Sequence, residues 1–293
     1  MKKYLCILVS FLFFSVFISC TENKKNIKTV EAKNIQVKKE NKENEEVLML
    51  VDKVLKNMSE RAQTEIVIQD KKTFLKEFAL LLKEEETFTK DDISLFYLID
   101  KTHTVSSDYV PKNLIPVRKN ELYSVSRNDL SLRLEADKAL KIMAQAALND
   151  GVRLLVSSTY RSYEYQKNLF DYWVKVDGLK EAERESARPG TSQHQLGVAV
   201  DFGSITDDFA DTKMGKWMYE NAANYGWSLS FPKQYEDITG YRWESWHFRY
   251  IGKTACAMQK KWFCNVQQYM LEFINLWKQE NCDLSDFLVS DSY

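Results

Sequence analysis

The sequence predicts an α+β fold in which a small, mainly antiparallel sheet is flanked by helices, with extra helices at both ends of the chain. Apolar residues recur at helical spacing in several segments. Short apolar runs typical of buried strands lie between these segments, at residues 153–156, 198–202, 227–231 and 247–251. The chain contains 16 Phe, 15 Tyr and 7 Trp, enough large side chains to fill a sizeable core. Helices and strands mixed in this way pack as layers around one core.

The first 20 residues have the pattern of an export signal. Two lysines precede an apolar run, residues 4–18, which is shorter than the about 20 residues that a membrane-spanning helix needs. Phe17-Ile18-Ser19-Cys20 then resembles the lipobox at which bacterial lipoproteins are lipidated and cut, with Phe in place of the usual Leu. An ordinary secretory signal and an uncleaved anchor are the alternatives, and both also place the remaining chain outside the cytoplasm. We expect an exported protein held at a bacterial membrane by a lipid on Cys20, facing the periplasm or cell wall.

Composition divides the rest of the chain. After the signal comes a stretch of mostly Lys, Asn and Glu, which cannot bury a core and predicts a disordered tether. Two apolar stripes at helical spacing then predict a helical extension before the main domain. The predicted boundaries are 1–20 for the signal, 21–46 for the tether, 47–90 for the N-terminal helical extension, 91–252 for the main domain and 253–293 for a C-terminal helical extension.

Within the main domain and the C-terminal extension, three local predictions can be tested. Residues 95–99 form an apolar run that predicts a short strand. Pro111 and Pro116 predict a loop after it. Residues 254–280 have apolar residues at helical spacing and predict a helix.

Charge and cysteine content exclude some function classes and leave other questions open. The 41 basic and 42 acidic residues balance, whereas a dedicated nucleic-acid binder carries a basic excess, so we expect no nucleic-acid partner. In a continuous helix Cys256 and Cys264 would be separated by a rise of about 12 Å, too far for a disulfide. One of them could pair with Cys282, and the sequence leaves this open together with the oligomeric state.

The chain has only three histidines, and one of them lies in a cluster that runs from Ser192 to Asp201. The cluster follows the turn signal Arg188-Pro189-Gly190, so we expect His194 in a loop and Asp201 on the strand after it. Gly197 would let the backbone turn so that both side chains converge. Imidazole and carboxylate are good zinc ligands. The alternative is a structural role in which His194 caps a turn.

A second cluster contains Glu244 and His247. Residues three apart point to opposite faces of a regular strand, but a turn leading into a strand would let both face one site. His247 would then bind a metal, and Glu244, not a ligand, would take a proton from water as general base. The alternative is a surface Glu and an interfacial His beside a buried Trp. Together the clusters predict one zinc ion on His194, Asp201 and His247, with the fourth position kept for water or substrate.

A third cluster, residues 157–162, lies where a strand is predicted to end, and Gln166 follows in the next helix. Arg161 could hydrogen-bond an oxyanion beside the metal, a contribution worth about 3–4 kcal/mol in other hydrolases. An ordinary surface salt bridge is the alternative for this residue.

These motifs resemble those of the VanY-type D-alanyl-D-alanine carboxypeptidases, within the wider group of VanX-like zinc peptidoglycan peptidases. The family pattern S-x-H-x6-D matches the cluster from Ser192 to Asp201, and E-x-W-H matches Glu244 to His247. Residues 160–162 match the family's Y-R-S, and the resemblance covers residues 95–252. Departures stand at three positions where the family commonly has Gly, Glu and Pro: Thr159, Gln193 and Ser245.

The resemblance implies a zinc-dependent D,D-carboxypeptidase that removes terminal D-Ala from peptidoglycan stem peptides, with residues 91–252 as its catalytic domain. It implies one Zn²⁺ on the predicted ligands, Glu244 as the base and Arg161 in contact with the intermediate or the substrate carboxylate. It also implies substrate contacts at Ser192, Gln166 and Tyr160.

Related activities need the same ligands and stay open. They are an L,D-carboxypeptidase and a D,D-endopeptidase on the same polymer. A non-catalytic lipoprotein that binds cell wall is the alternative from another class. A serine-type penicillin-binding enzyme is excluded, because Ser162-Tyr163-Glu164-Tyr165 lacks the Lys of S-x-x-K and no Lys-Thr-Gly occurs.

Overall fold

The structure, a computed structural model, describes residues 45–89, 92–282 and 284. The chain divides into two compact units, Met1–Asp52 and Lys53–Tyr293. The described residues of the first unit, 45–52, are helical, and they include the last two residues of the predicted tether. The predicted signal, Cys20 and the rest of the tether lie outside the described residues. In the part of the chain that is described, no helix is long and apolar enough to cross a membrane.

The second unit contains helices and two sheets, which confirms the predicted α+β class. Residues 53–56 are helical. The helices after them are α1 (Glu60–Glu65), α2 (Lys71–Thr89), α3 (Leu134–Asn149), α4 (Tyr163–Glu185), α5 (Lys213–Asn221), α6 (Glu236–Thr239), α7 (Lys253–Trp262) and α8 (Gln267–Gln279). Its strands are β1 (Leu114–Val117), β2 (Tyr123–Val125), β3 (Leu130–Arg133), β4 (Leu154–Ser158), β5 (Ala199–Phe202), β6 (Trp227–Leu229) and β7 (His247–Tyr250). Short 3₁₀ helices lie at Gln193–Leu196, Asp207–Asp211 and Ala222–Tyr225.

The main sheet has the strand order β2-β4-β5-β7-β6. β2 pairs with β4 in parallel, and the other neighbours are antiparallel, as is the separate β1–β3 pair. The sheet is therefore mainly antiparallel, as predicted. β5 is buried at every position and β7 at all but its last. Because these two strands have a neighbour on each side, their side chains are held in a fixed register.

An aromatic cluster joins α2 to the C-terminal helices. The ring of Phe273 on α8 lies 5.3 Å from Phe74, 5.4 Å from Phe78, 5.4 Å from Phe263 and 5.9 Å from Trp277. All five side chains are buried. Aromatic pairs at such separations add stability beyond the burial of apolar area. The C-terminal helices are thus part of a packed core within the second unit.

The predicted strand at residues 95–99 is wrong, and a long-range contact explains why. The segment is a turn followed by irregular backbone, although it is mostly buried. Arg249 on β7 is fully buried and its Nη2 donates to the carbonyl oxygens of Leu95 and Tyr97, 2.8 Å each. Buried carbonyls need a donor. Here a side chain supplies what a neighbouring strand would otherwise provide.

Two further local predictions need correction. The predicted loop through Pro111 and Pro116 contains β1, where the exposed Pro116 lies on a two-stranded pair that tolerates a missing N–H donor. The helix predicted over residues 254–280 is interrupted between α7 and α8, because Cys264 and Asn265 have φ of 54° and 59°. The continuous helix assumed for the cysteines is therefore absent, and neither Cys256 nor Cys264 forms a disulfide.

Candidate metal centre and active-site cleft

Strand pairing places two of the predicted ligands opposite each other. Asp201 on β5 and His247 at the start of β7 are direct partners in the antiparallel ladder. Directly opposite residues project to the same face of a sheet. The two side chains therefore converge without any special loop geometry.

The third ligand arrives from a tight turn before β5. His194 lies in the 3₁₀ helix Gln193–Leu196, which begins with the Ser192 hydroxyl accepting from the His194 N–H at 3.3 Å. Gly197 ends this turn in the left-handed region, with φ of 70°. A Cβ there would lie 3.0 Å from a methyl group of Leu114, so glycine is required by conformation and by space. The turn brings His194 back over Asp201.

The predicted ligand atoms form a compact group. The atoms that His194, Asp201 and His247 can offer to a metal lie within 4.8 Å of one another, and all three residues are buried. His194 Nε2 is 3.2 Å from Asp201 Oδ2, and His247 Nδ1 is 3.0 Å from Asp201 Oδ1. The imidazole rings are perpendicular, with centres 4.8 Å apart.

Hydrogen bonds on the far sides of the rings fix which nitrogen faces the centre. His194 Nδ1 lies 2.6 Å from the carbonyl oxygen of Thr159, which only accepts, so Nδ1 carries the proton and Nε2 presents a lone pair. His247 Nε2 lies 3.2 Å from Gln193 Oε1, so its Nδ1 presents a lone pair. Asp201 Oδ1 is buried and receives no hydrogen bond from the described residues. In these tautomers the lone pairs of both imidazoles face the Asp201 carboxylate, an arrangement that fits a cation.

The protonation states also suit a metal. Burial and the positive charge of Arg161 lower the pKa of His194 to about 4. Burial alone would raise the pKa of Asp201, but His194 and Arg161 hold it well below its usual range. At neutral pH His194 is therefore a neutral imidazole and Asp201 is a carboxylate, the forms that metals bind.

Glu244 lies beside the ligands through the predicted turn into β7. The His247 N–H donates to the Glu244 carbonyl at 3.3 Å, which closes the turn, and Glu244 Oε2 lies 3.5 Å from His247 Nδ1. The side chain is buried, and burial together with the charge of Asp201 raises its pKa well above the usual value. Glu244 is thus a carboxyl group next to the centre whose environment favours holding a proton.

Arg161 is fixed on the other side of Asp201. Its Nη2 donates to Asp201 Oδ2 at 2.6 Å, Nε to Ser158 Oγ at 3.0 Å and Nη1 to Gln166 Oε1 at 3.5 Å. Gln166 is fully buried, and its amide nitrogen donates to the Ala187 carbonyl at 2.8 Å. Gln166 therefore anchors Arg161 to the chain beyond α4.

The centre opens into a cleft of about 320 Å³. The wall includes all five residues predicted for chemistry and Ser192, whereas Tyr160 and Gln166 are not among the described residues that line it. Three further lining side chains, two of them aromatic, come from α4, and two arginines also line the cleft. These further lining residues are Tyr165, Leu169, Trp173, Arg127 and Arg242.

Sequence reasoning missed the groups that hold the ligands. The Thr159 carbonyl, the Gln193 amide and the Ser158 hydroxyl have no role in the predicted motifs. Gln193 could have been noticed, because it stands where the family commonly has Glu and is adjacent to His194 in sequence. A backbone carbonyl acting at a distance leaves no signal in residue type.

Comparison with known proteins agrees with the site. The family model VanY, D-alanyl-D-alanine carboxypeptidase, matches residues 129–253. YodJ of Bacillus subtilis (strain 168), provisionally named a carboxypeptidase, is 35% identical over 182 residues, 60% of this chain and 67% of that protein. VanXYC of Enterococcus gallinarum, named a bifunctional D-Ala-D-Ala dipeptidase and D-Ala-D-Ala carboxypeptidase, is 32% identical over 164 residues, 53% of this chain and 82% of that protein.

Among solved structures, the LdcB LD-carboxypeptidase superposes with a TM-score of 0.53 at 34% sequence identity. The match covers 62% of this chain and 86% of that chain, and the LdcB structure is described as revealing the molecular basis of peptidoglycan recognition. The residues matched by the family model, 129–253, include the turn that carries His194 together with β5 and β7. The chain belongs to the VanY family of D-alanyl-D-alanine carboxypeptidases.

Proposed function

We propose that this protein is a zinc-dependent carboxypeptidase that removes the terminal D-Ala from peptidoglycan stem peptides ending in D-Ala-D-Ala. The observation that carries the proposal is the convergence of His194, Asp201 and His247 in the wall of a cleft, beside Glu244, which is not one of the predicted ligands. Three protein ligands of the His and carboxylate type, with one position left open, are typical of catalytic zinc sites.

The chain's own residues would act around the scissile bond in three ways. Zinc, when bound, supplies Lewis-acid activation of water and of the scissile carbonyl. Glu244 takes a proton from the attacking water at its carboxylate and later gives it to the leaving amine of D-Ala. Its raised pKa suits this task, because a carboxylate with a raised pKa is a stronger proton acceptor.

Arg161 is the group placed to stabilise negative charge on the carbonyl oxygen. Its guanidinium lies in the cleft wall beside Asp201 and is held by Ser158 and Gln166. Rigid donors aimed at developing charge lower a barrier because they need no reorganisation during the reaction. The same guanidinium could instead bind the substrate carboxylate, and both uses require the observed position.

The preferred bond is D,D, and the family and the name of VanXYC support it. An L,D-carboxypeptidase is the second candidate, favoured by the likeness to LdcB. We further propose that the protein is exported and anchored through a lipid on Cys20, which the lipobox-like sequence supports. Replacement of Cys20 by Ala should release the protein from the membrane fraction.

The test of activity uses the full-length protein purified in detergent. A pentapeptide stem and the matching tetrapeptide are incubated with it, with and without a chelator, and products are read by mass spectrometry. We expect chelator-sensitive loss of one Ala from the pentapeptide alone. Loss from the tetrapeptide would move the assignment to L,D cleavage, and no cleavage of either by a zinc-loaded protein would contradict the proposal.

A further inference from the structure

The C-terminal extension reaches the metal centre through buried polar side chains. The family match ends at residue 253, so α8 lies beyond it. Gln267, the first residue of α8, is 1% exposed and contacts Gln193, the neighbour of His194 in sequence. Buried amides must place their donors against acceptors, so Gln267 can fix the orientation of the Gln193 amide as well as fill space.

A backbone carbonyl determines which way the side-chain amides of Gln267 and Gln193 are oriented. The carbonyl of Ser228 on β6 can only accept, so Gln267 must turn Nε2 towards it, at 3.4 Å. Gln267 Oε1 then faces Gln193 Nε2, also at 3.4 Å. Gln193 is thereby turned with Oε1 towards His247 Nε2, at 3.2 Å. An oxygen at that position can only accept, so it stabilises the His247 tautomer that carries its proton on Nε2.

A second contact agrees with this direction. The Ser230 hydroxyl lies 2.7 Å from Gln193 Oε1 and donates to it. A hydroxyl can rotate to donate or accept, so Ser230 alone could not select the orientation of the amide. Gln267 is the group that can, because its own orientation is set by an acceptor that does not flip.

We propose that Gln267 and Gln193 are positioning residues that hold His247 in its Nε2–H form, leaving Nδ1 for the metal. The C-terminal extension then helps to position a ligand of the metal centre. This inference rests on the metal centre of the proposed function, but it does not depend on which bond is cleaved.

The proposal predicts a rescue that a packing role would not show. The Gln267→Met change removes the acceptor for Gln193 Nε2, so the Gln193 amide becomes free to turn a donor towards His247. A carboxylate at position 193 has oxygens at both ends and cannot present a donor. Gln193→Glu should therefore restore the His247 tautomer in the Gln267→Met background.

The experiment measures zinc dissociation constants of the full-length protein in detergent by competition with a chromophoric chelator. Supporting groups around metal ligands typically contribute 10- to 100-fold in metal affinity, so we expect Q267M to bind zinc about 10- to 100-fold more weakly. The double variant Q193E/Q267M should return to within about threefold of wild type. Q259M is the matched control, because Gln259 is a buried glutamine of α7 that contacts the Ser228 hydroxyl and the Asn265 carbonyl but not Gln193.

Each outcome bears on the inference. Zinc affinity of Q267M equal to that of Q259M, or a loss that Q193E does not restore, would overturn it. Failure of the wild-type protein to bind zinc would instead overturn the proposed function.

A measurement on the metal-free wild-type protein covers the case in which Q267M does not fold. Long-range proton–nitrogen spectra of ¹⁵N-histidine-labelled protein distinguish the two tautomers. We expect the Nε2–H form for His247 and the Nδ1–H form for His194. The Nδ1–H form of His247 would contradict the proposal.

Discussion

Replacement of Glu244 by Gln should abolish turnover while zinc stays bound. The two side chains have the same size, so the change removes the proton acceptor and leaves the ligands in place. General bases contribute about 10²- to 10⁴-fold, or about 3–5 kcal/mol of barrier. Besides Glu244 and Asp201, the acidic side chain among the described residues that line the cleft is Glu185, which forms an ion pair with Arg242 at 3.0 Å. Because no neighbouring group is placed to substitute, we expect a loss of at least about 10³-fold.

The same change should stabilise the metal-free protein at neutral pH. Burial and Asp201 raise the pKa of Glu244, so the folded state binds more protons than the unfolded state above the ordinary pKa. Stability then falls as pH rises through that window, and an ionised Glu244 destabilises the fold. Glutamine removes this charge, so the E244Q protein should unfold at a higher temperature than wild type and with less dependence on pH.

The assay combines kcat on the pentapeptide, zinc content of the purified protein and thermal unfolding in the presence of a chelator. His247→Ala is the control, because it should lose zinc and turnover together. An E244Q protein that holds one zinc ion and keeps more than about a tenth of the activity would refute the assignment of the base. A lower unfolding temperature for metal-free E244Q would refute the electrostatic part of the reasoning.

The remaining predictions concern stability and thiol chemistry. Since burial lowers the pKa of His194 to about 4, the metal-free protein should lose about 3 kcal/mol as pH falls from about 6.5 towards 4, and the H194Q variant should lack this loss in denaturant titrations at the two pH values. Equal pH dependence of the two proteins would contradict it. Phe273→Ala should lower the free energy of unfolding by about 3–5 kcal/mol, because its ring contacts four buried aromatic side chains. An unchanged denaturation midpoint would show that the aromatic cluster does not stabilise the fold. The exposed Cys264 should react with an alkylating reagent before Cys256, whose burial raises its pKa to about 12, and mass spectrometry of time points would detect the opposite order.

Residue types with few alternatives made the candidate site predictable from sequence. Three histidines in the whole chain, two of them beside carboxylates in spaced motifs, indicated the candidate ligands that the structure brings together. The turn that aligns Glu244 with His247 was also expected from their separation. The tautomers were not predictable, because the Thr159 carbonyl and the Gln193 amide meet the rings only after the chain has folded.

The strands were predictable where an apolar run is buried in the main sheet. They were not predictable where a residue distant in sequence determines the backbone conformation. Apolar runs indicated β4, β5, β6 and β7, which are buried in the main sheet. The apolar run at residues 95–99 suggested a strand, but its carbonyls are satisfied by Arg249 from more than 150 residues away. β2 has only three residues, too few to show a period. The break between α7 and α8 had a weak signal in Asn265, a residue type that tolerates positive φ.

The pairing of Asp201 with His247 across β5 and β7 has a consequence for how this cleft can change. Strand pairing sets the distance between these predicted ligands, so the length of chain from the end of β5 to the turn at Glu244, residues 203–243, is not constrained by the metal centre. That interval supplies Ile205, Phe231 and Tyr241 to the cleft wall. Insertions, deletions or an exchanged segment beyond the strand ends would therefore remodel what the cleft admits, whereas one residue added inside β5 would turn Asp201 to the opposite face of the sheet.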